Sequence, residues 1–120
     1  MLDPSHHGLY LRTAARWGIS QEVALQVLAR DINCIYCRRD FDLTLENRAA
    51  VPSWEHIVND VSLTSIQNVG LCCVSCNSSK GKKKSVKDWL NSAYCQVRGI
   101  TDATIAPLVR NSLGGSEPPA

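Results

Sequence analysis

Residues 69–84 read VGLCCVSCNSSKGKKK, and the fold turns on this stretch. It opens with an apolar run, Val69 to Cys73, of the length expected for a short strand. Cys73 and Cys76 then form a C-x2-C pair. The polar residues Asn77, Ser78, Ser79 and Lys80 that follow read as the start of a helix. The stretch ends in a basic tract. Lys80, Lys82, Lys83, Lys84 and Lys87 are all the lysines in the chain. Such a patch suits a polyanion, and it equally suits a solvated helix end.

Upstream, Cys34-Ile35-Tyr36-Cys37 repeats the C-x2-C spacing, with thirty-five residues between the two pairs. One such knuckle brings two thiolates to an ion at about 2.3 Å, and a second completes a tetrahedron. The spacing therefore predicts a structural Zn²⁺ held by Cys34, Cys37, Cys73 and Cys76. Four protein ligands leave no open position, so this ion is not expected to react, and its binding adds folding energy. A redox dithiol needs one pair in a βαβ context, which this pattern lacks. Cys72 would give C-x3-C and instead completes the apolar run. Cys95 reads as a buried structural thiol.

The whole chain has 120 residues, 44% hydrophobic and 20% charged, with a formal net charge of +2. These values fit one globular domain and exclude a disordered or collagen-like chain. No apolar run approaches the roughly 18–20 residues of a membrane span. The start, MLDPSHHGLYLR, lacks a basic and an apolar signal region, so the expected location is cytoplasmic. Six cysteines in a reducing compartment point to metal rather than to disulfides.

Outward from the cysteines, the expected class is α+β: a small zinc-stabilised core flanked by helices. Residues 1–32 read as an N-terminal helical cap. One helix stops at Gly18, and a second is capped by Ser20 and buries Val23, Ala24, Val27 and Leu28. Residues 33–98 form the core, with a cysteine-bearing turn at 33–43 and, within 50–58, a strand after Pro52. Thr64 to Asn68 reads as a polar connector. The helix that starts near Val74 continues, with a break near Ser85, through Trp89 and Tyr94. Residues 99–113 hold a C-terminal helix capped by Thr101 and kinked or divided by Pro107, and the tail 114–120 reads as disordered.

Three histidines are present. His6 and His7 read as surface residues near the start, whereas His56 stands next to Glu55 in the strand candidate. The pattern W-E-H-I … N-x4-C-x2-C-N-x2-K-G resembles the HNH endonucleases, in the subgroup with a four-cysteine zinc site. It is carried by Cys34, Cys37, Glu55, His56, Asn68, Cys73, Cys76, Asn77, Lys80 and Gly81, and covers about residues 33–84. The resemblance implies a ββα-metal fold that hydrolyses phosphodiester bonds of double-stranded DNA to 5′-phosphate and 3′-hydroxyl ends. His56 would be the general base. Glu55 and Asn77 would hold a catalytic Mg²⁺ or Mn²⁺. Asn68 would hydrogen-bond backbone near His56. Lys80, Lys82, Lys83 and Lys84, with Arg38 and Arg39, would hold the DNA backbone. The chain would act as a monomer or homodimer. It departs from the family in having Glu55 where many relatives have Asp, and Asn59-Asp60 where many have Pro or His. Two other readings stand beside this one: a zinc-stabilised DNA-binding module without cleavage, and a zinc-ribbon-like protein whose lysines bind an acidic partner.

Neighbouring side chains of a regular strand face opposite sides. Glu55 and His56 can therefore serve one phosphate only where the strand ends or bulges.

Overall fold

The computed structural model describes residues 7–44, 46–82 and 84–113. Lys83, His6 and the 114–120 tail lie outside the described residues, and so does the side chain of His7. The class is α+β, a two-stranded antiparallel sheet with helices around it.

Helix α1, His7–Arg16, closes at Gly18, whose φ of 72° is the left-handed conformation favoured at helix ends. Helix α2, Gln21–Arg30, starts at Ser20, whose Oγ accepts from Val23 N at 3.2 Å. Strands β1, Pro52–His56, and β2, Val69–Cys73, pair in regular register from Pro52↔Cys73 to His56↔Val69. Helix α3, Val74–Lys80, follows β2 directly, with Cys73 Sγ accepting from Cys76 N at its start.

The alternation of the strands sends Trp54, Val69 and Leu71 to one face, where they pack against Tyr10, Ala14, Val27 and Leu28 of α1 and α2. The other core gathers Cys72 with Ile35, Tyr36, Trp89 and Val109 around the cysteine knuckles. Both cores are built mainly of apolar side chains, so the sheet is buried on two sides despite its small size.

Each outer edge of the sheet is also covered, which removes an aggregation template. On β2, Leu71 N donates to Asp31 Oδ2 at 3.0 Å, Leu71 O accepts from Ile35 N at 3.1 Å, and Arg30 donates to Val69 O at 2.7 Å. On β1, the Asn77 amide donates to Trp54 O at 3.1 Å. Gly70 permits this close fit. A Cβ there would lie 2.8 Å from Ile35 Cδ1 and 3.2 Å from Asp31 Oδ2.

Three sequence expectations change. The first strand spans Pro52–His56 and ends short of Val58. Ala50 closes a short 3-10 turn, and the side chain of Asn68, not a strand partner, takes up the backbone of Val58. The helix beyond Lys80 is broken twice, into α4, Val86–Trp89, and α5, Ala93–Arg98, because Ser85 and Ser92 each cap a new start. The last helix, α6, is Pro107–Leu113. Of a kink and a division at Pro107 the structure shows the division: Pro107 begins the helix, since the first helical position needs no N–H donor. Thr101 belongs to a separate turn, its N–H donating to Thr104 Oγ1 at 2.9 Å.

Candidate functional site

Cys34, Cys37, Cys73 and Cys76 converge, with all four sulfurs within 4.8 Å of one another. The Cys37 and Cys73 sulfurs are 3.8 Å apart. A tetrahedron with bonds of about 2.3 Å has edges of about 3.8 Å, so the sulfur set fits zinc. Each knuckle turns backbone N–H groups toward sulfur. Tyr36 N and Cys37 N approach Cys34 Sγ at 3.4 and 3.5 Å, and Cys76 N approaches Cys73 Sγ at 3.4 Å. The Tyr94 hydroxyl donates to Cys76 Sγ at 3.3 Å. These donors stabilise negative sulfur. Hydrogen bonding from Cys34 draws the Cys37 and Cys73 thiols below the ordinary thiol value, and the same sharing pushes Cys34 upward. Cys72 and Cys95 are buried outside this group. Arg38, in the first knuckle, has a φ of 66°, the left-handed region that favours glycine.

The other end of the β1–β2 ladder holds His56. A cavity of about 160 Å³ opens here, lined by Glu55, His56, Asn59, Asn77, Trp17 and Lys82, among others. The strand contains no bulge; it ends at His56. The cavity lies where α3 meets the outer edge of β1, so side chains from both faces of the strand reach it.

His56 is 8% exposed, and its Nε2 is buried with no hydrogen-bond partner among the described residues. Burial pushes the imidazole below its ordinary 6.5, while the carboxylates of Glu55 and Asp60 pull it upward. At neutral pH the ring is therefore uncharged and able to accept a proton.

Glu55 is also buried. Its Oε2 accepts from the Tyr36 hydroxyl at 2.5 Å and pairs with Lys80 Nζ at 3.1 Å. Among the described residues, no hydrogen bond falls on Oε1. The Asn77 amide nitrogen donates to Ser53 Oγ and Trp54 O, at 3.0 and 3.1 Å. Its Oδ1 likewise takes no hydrogen bond from the described residues. One oxygen of each residue thus stays open beside the cavity.

Asn68 joins the ends of the loop that follows His56. Its Oδ1 accepts from Val58 N at 2.8 Å, and its Nδ2 donates to Val58 O and Leu63 O. Asp60 is exposed and caps its own turn, accepting from Ser62 N and Oγ.

Lys80 is corrected. It is 1% exposed and tied to Glu55 and to Asn59 Oδ1, at 2.9 Å, so its ammonium cannot meet a DNA backbone. Lys82, Lys84, Arg38 and Arg39 are exposed. Lys84 Nζ donates to Ser79 O at 3.1 Å, and Lys82 Nζ stands 5.2 Å from the centre of the Trp17 ring.

Four residues at these sites carry no signal in the one-dimensional pattern: Tyr36, Asn59, Trp17 and Tyr94. Tyr36 is only the variable position of a knuckle, Asn59 a loop residue and Trp17 the last apolar residue of a helix. A tyrosine nineteen residues after Ser75 does not announce a bond to Cys76. Among the described residues no helix is long and apolar enough to cross a membrane. Comparison of the chain with protein-family models, with curated proteins and with solved structures finds no match in any of the three.

Proposed function

We propose that the chain is a metal-dependent endonuclease of the HNH type, acting on double-stranded DNA. The observation that carries the reading is the buried His56 imidazole, its Nε2 unpartnered, lining one cavity with Glu55 and Asn77. A buried nitrogen without a partner needs an explanation, and a proton-accepting role supplies one.

In this reading His56 takes the proton of the attacking water, whose oxygen bonds to phosphorus as the bond to the 3′ oxygen breaks. The leaving 3′ oxygen then takes up a proton. Glu55 and Asn77 would hold a divalent ion through their open oxygens, a donor set that suits Mg²⁺ or Mn²⁺. Bound there, the ion would offset charge on the phosphate and on the leaving oxygen. Asn68 acts as a positioning residue for the loop beside His56. Lys82, Lys84, Arg38 and Arg39 are exposed cations that can contact backbone phosphates. The sulfur site fixes the start of α3, which carries Asn77.

The second reading is a zinc-stabilised DNA-binding module without cleavage. One observation favours it: Glu55 Oε2 is already satisfied by Tyr36 and Lys80, as in a purely structural ion pair.

Supercoiled plasmid separates the two. With Mg²⁺ or Mn²⁺ the protein should nick it, EDTA should stop the reaction, and His56→Ala should lower the rate by about 10²–10⁴-fold. Equal nicking by both proteins would remove His56 from the chemistry. A mobility shift without nicking would establish the binding module.

A further inference from the structure

Trp17 is the feature that the proposed chemistry leaves unused. It belongs to the N-terminal helical cap, yet it lines the same cavity as Glu55, His56 and Asn77. Its ring meets the His56 ring edge-on, with centroids 6.1 Å apart and planes at 62°. The backbone there is fixed: Trp17 N donates to Ala14 O, Gly18 N to Ala15 O and Ile19 N to Ala14 O. The ring is therefore presented from a closed helix end rather than from a free loop. Trp54 and Trp89 are buried at 7% and 0% exposure, whereas Trp17 is 41% exposed. An open indole beside Glu55, His56 and Asn77, with the Lys82 ammonium over it, combines an aromatic platform with a phosphate-seeking charge.

Resting on the nuclease reading above, we propose that Trp17 stacks one nucleobase lifted out of the duplex, so that DNA unpaired beside the scissile phosphate is the preferred substrate. Inside an intact duplex each base is stacked on its neighbours and its face is closed to the indole. A base that is already unpaired costs least to bring onto the ring. The Lys82 ammonium then moves from the ring to the adjacent phosphate, exchanging a weak cation–π contact for an ion pair.

The test uses three labelled duplexes with Mn²⁺: fully paired, with one unpaired thymine, and with an abasic site at that thymine's position. The wild-type protein should cut the thymine duplex about tenfold faster than the paired one, and the abasic duplex should lose that gain. Trp17→Ala should erase the preference and Trp17→Phe should keep most of it. Circular dichroism should show both variants folded, as expected for an exposed side chain. Cleavage of all three duplexes at one rate, or a preference that survives in Trp17→Ala, overturns the proposal and leaves the nuclease reading intact.

A second measurement, without added Mg²⁺ or Mn²⁺, needs no cleavage. Solvent-exposed tryptophan emission belongs to Trp17, and the thymine duplex should quench it more than the abasic one. Quenching by a protein that never cuts would support the platform and sink the hydrolysis. Equal emission with all three duplexes would sink the platform.

Discussion

The two ends of the β1–β2 ladder invite comparison. At the Cys73 end, four sulfurs face one another and backbone N–H groups point at them. At the His56 end, Nε2 has no partner, and Glu55 Oε1 and Asn77 Oδ1 take no hydrogen bond from the described residues. The first end is closed on itself, as a site that only holds structure must be. The second is buried but left open, which costs stability.

The contrast can be broken most severely at the sulfur end. Cys37→Ser should release zinc and abolish the cooperative thermal transition, because metal binding and folding are one equilibrium in so small a core. Circular dichroism with a zinc assay checks this, and a folded, zinc-free variant would show that the sulfurs are not what holds the ladder.

Next comes the Glu55–Lys80 pair, at the His56 end. Lys80→Met leaves a buried carboxylate with Tyr36 alone, and should cost about 3–5 kcal/mol in denaturant unfolding. Adding Glu55→Gln should recover part of that loss. Additive losses would mean that the two side chains do not support each other.

A milder test uses pH. Burial keeps His56 below 6.5, so the ring gains its proton only as pH falls beneath that value. A base must be unprotonated, so plasmid nicking should stay level near neutrality and fall on the acid side of pH 6.5. A limb rising through pH 7 or above would assign the base to another group.

The smallest effect belongs to Arg38. A non-glycine residue at φ 66° carries strain of about 1–2 kcal/mol, partly offset by the lower chain entropy of the unfolded state. Arg38→Gly should therefore raise the melting temperature by a few degrees at most. A fall would show that the arginine side chain contributes more than its backbone costs.

The sulfur end was legible residue by residue because its information is local: two C-x2-C knuckles specify their own geometry. Even the choice of Cys73 over Cys72 followed from spacing, and the sulfur group contains Cys73. The strand Val69–Cys73 was equally clear, being apolar on both faces. At Pro107 the sequence leaves a kink and a division both open, because a proline suits the first turn of a helix as well as it breaks the middle of one. Lys80 was misread because charge in a basic tract looks alike whether it is buried or exposed. Only its distance to Glu55 distinguishes it from Lys82.

By itself, then, the order of residues determined the α+β class, the cysteine cluster and the Ser20 cap, since each rests on contacts between near neighbours or on a fixed ligand spacing. The tertiary structure decided what shares the cavity. Trp17, Glu55 and Asn77 come from three separate segments, and their meeting depends on how the helices and the hairpin pack. No periodicity along the chain records that packing, because side-chain shape and burial set it only after the chain has folded.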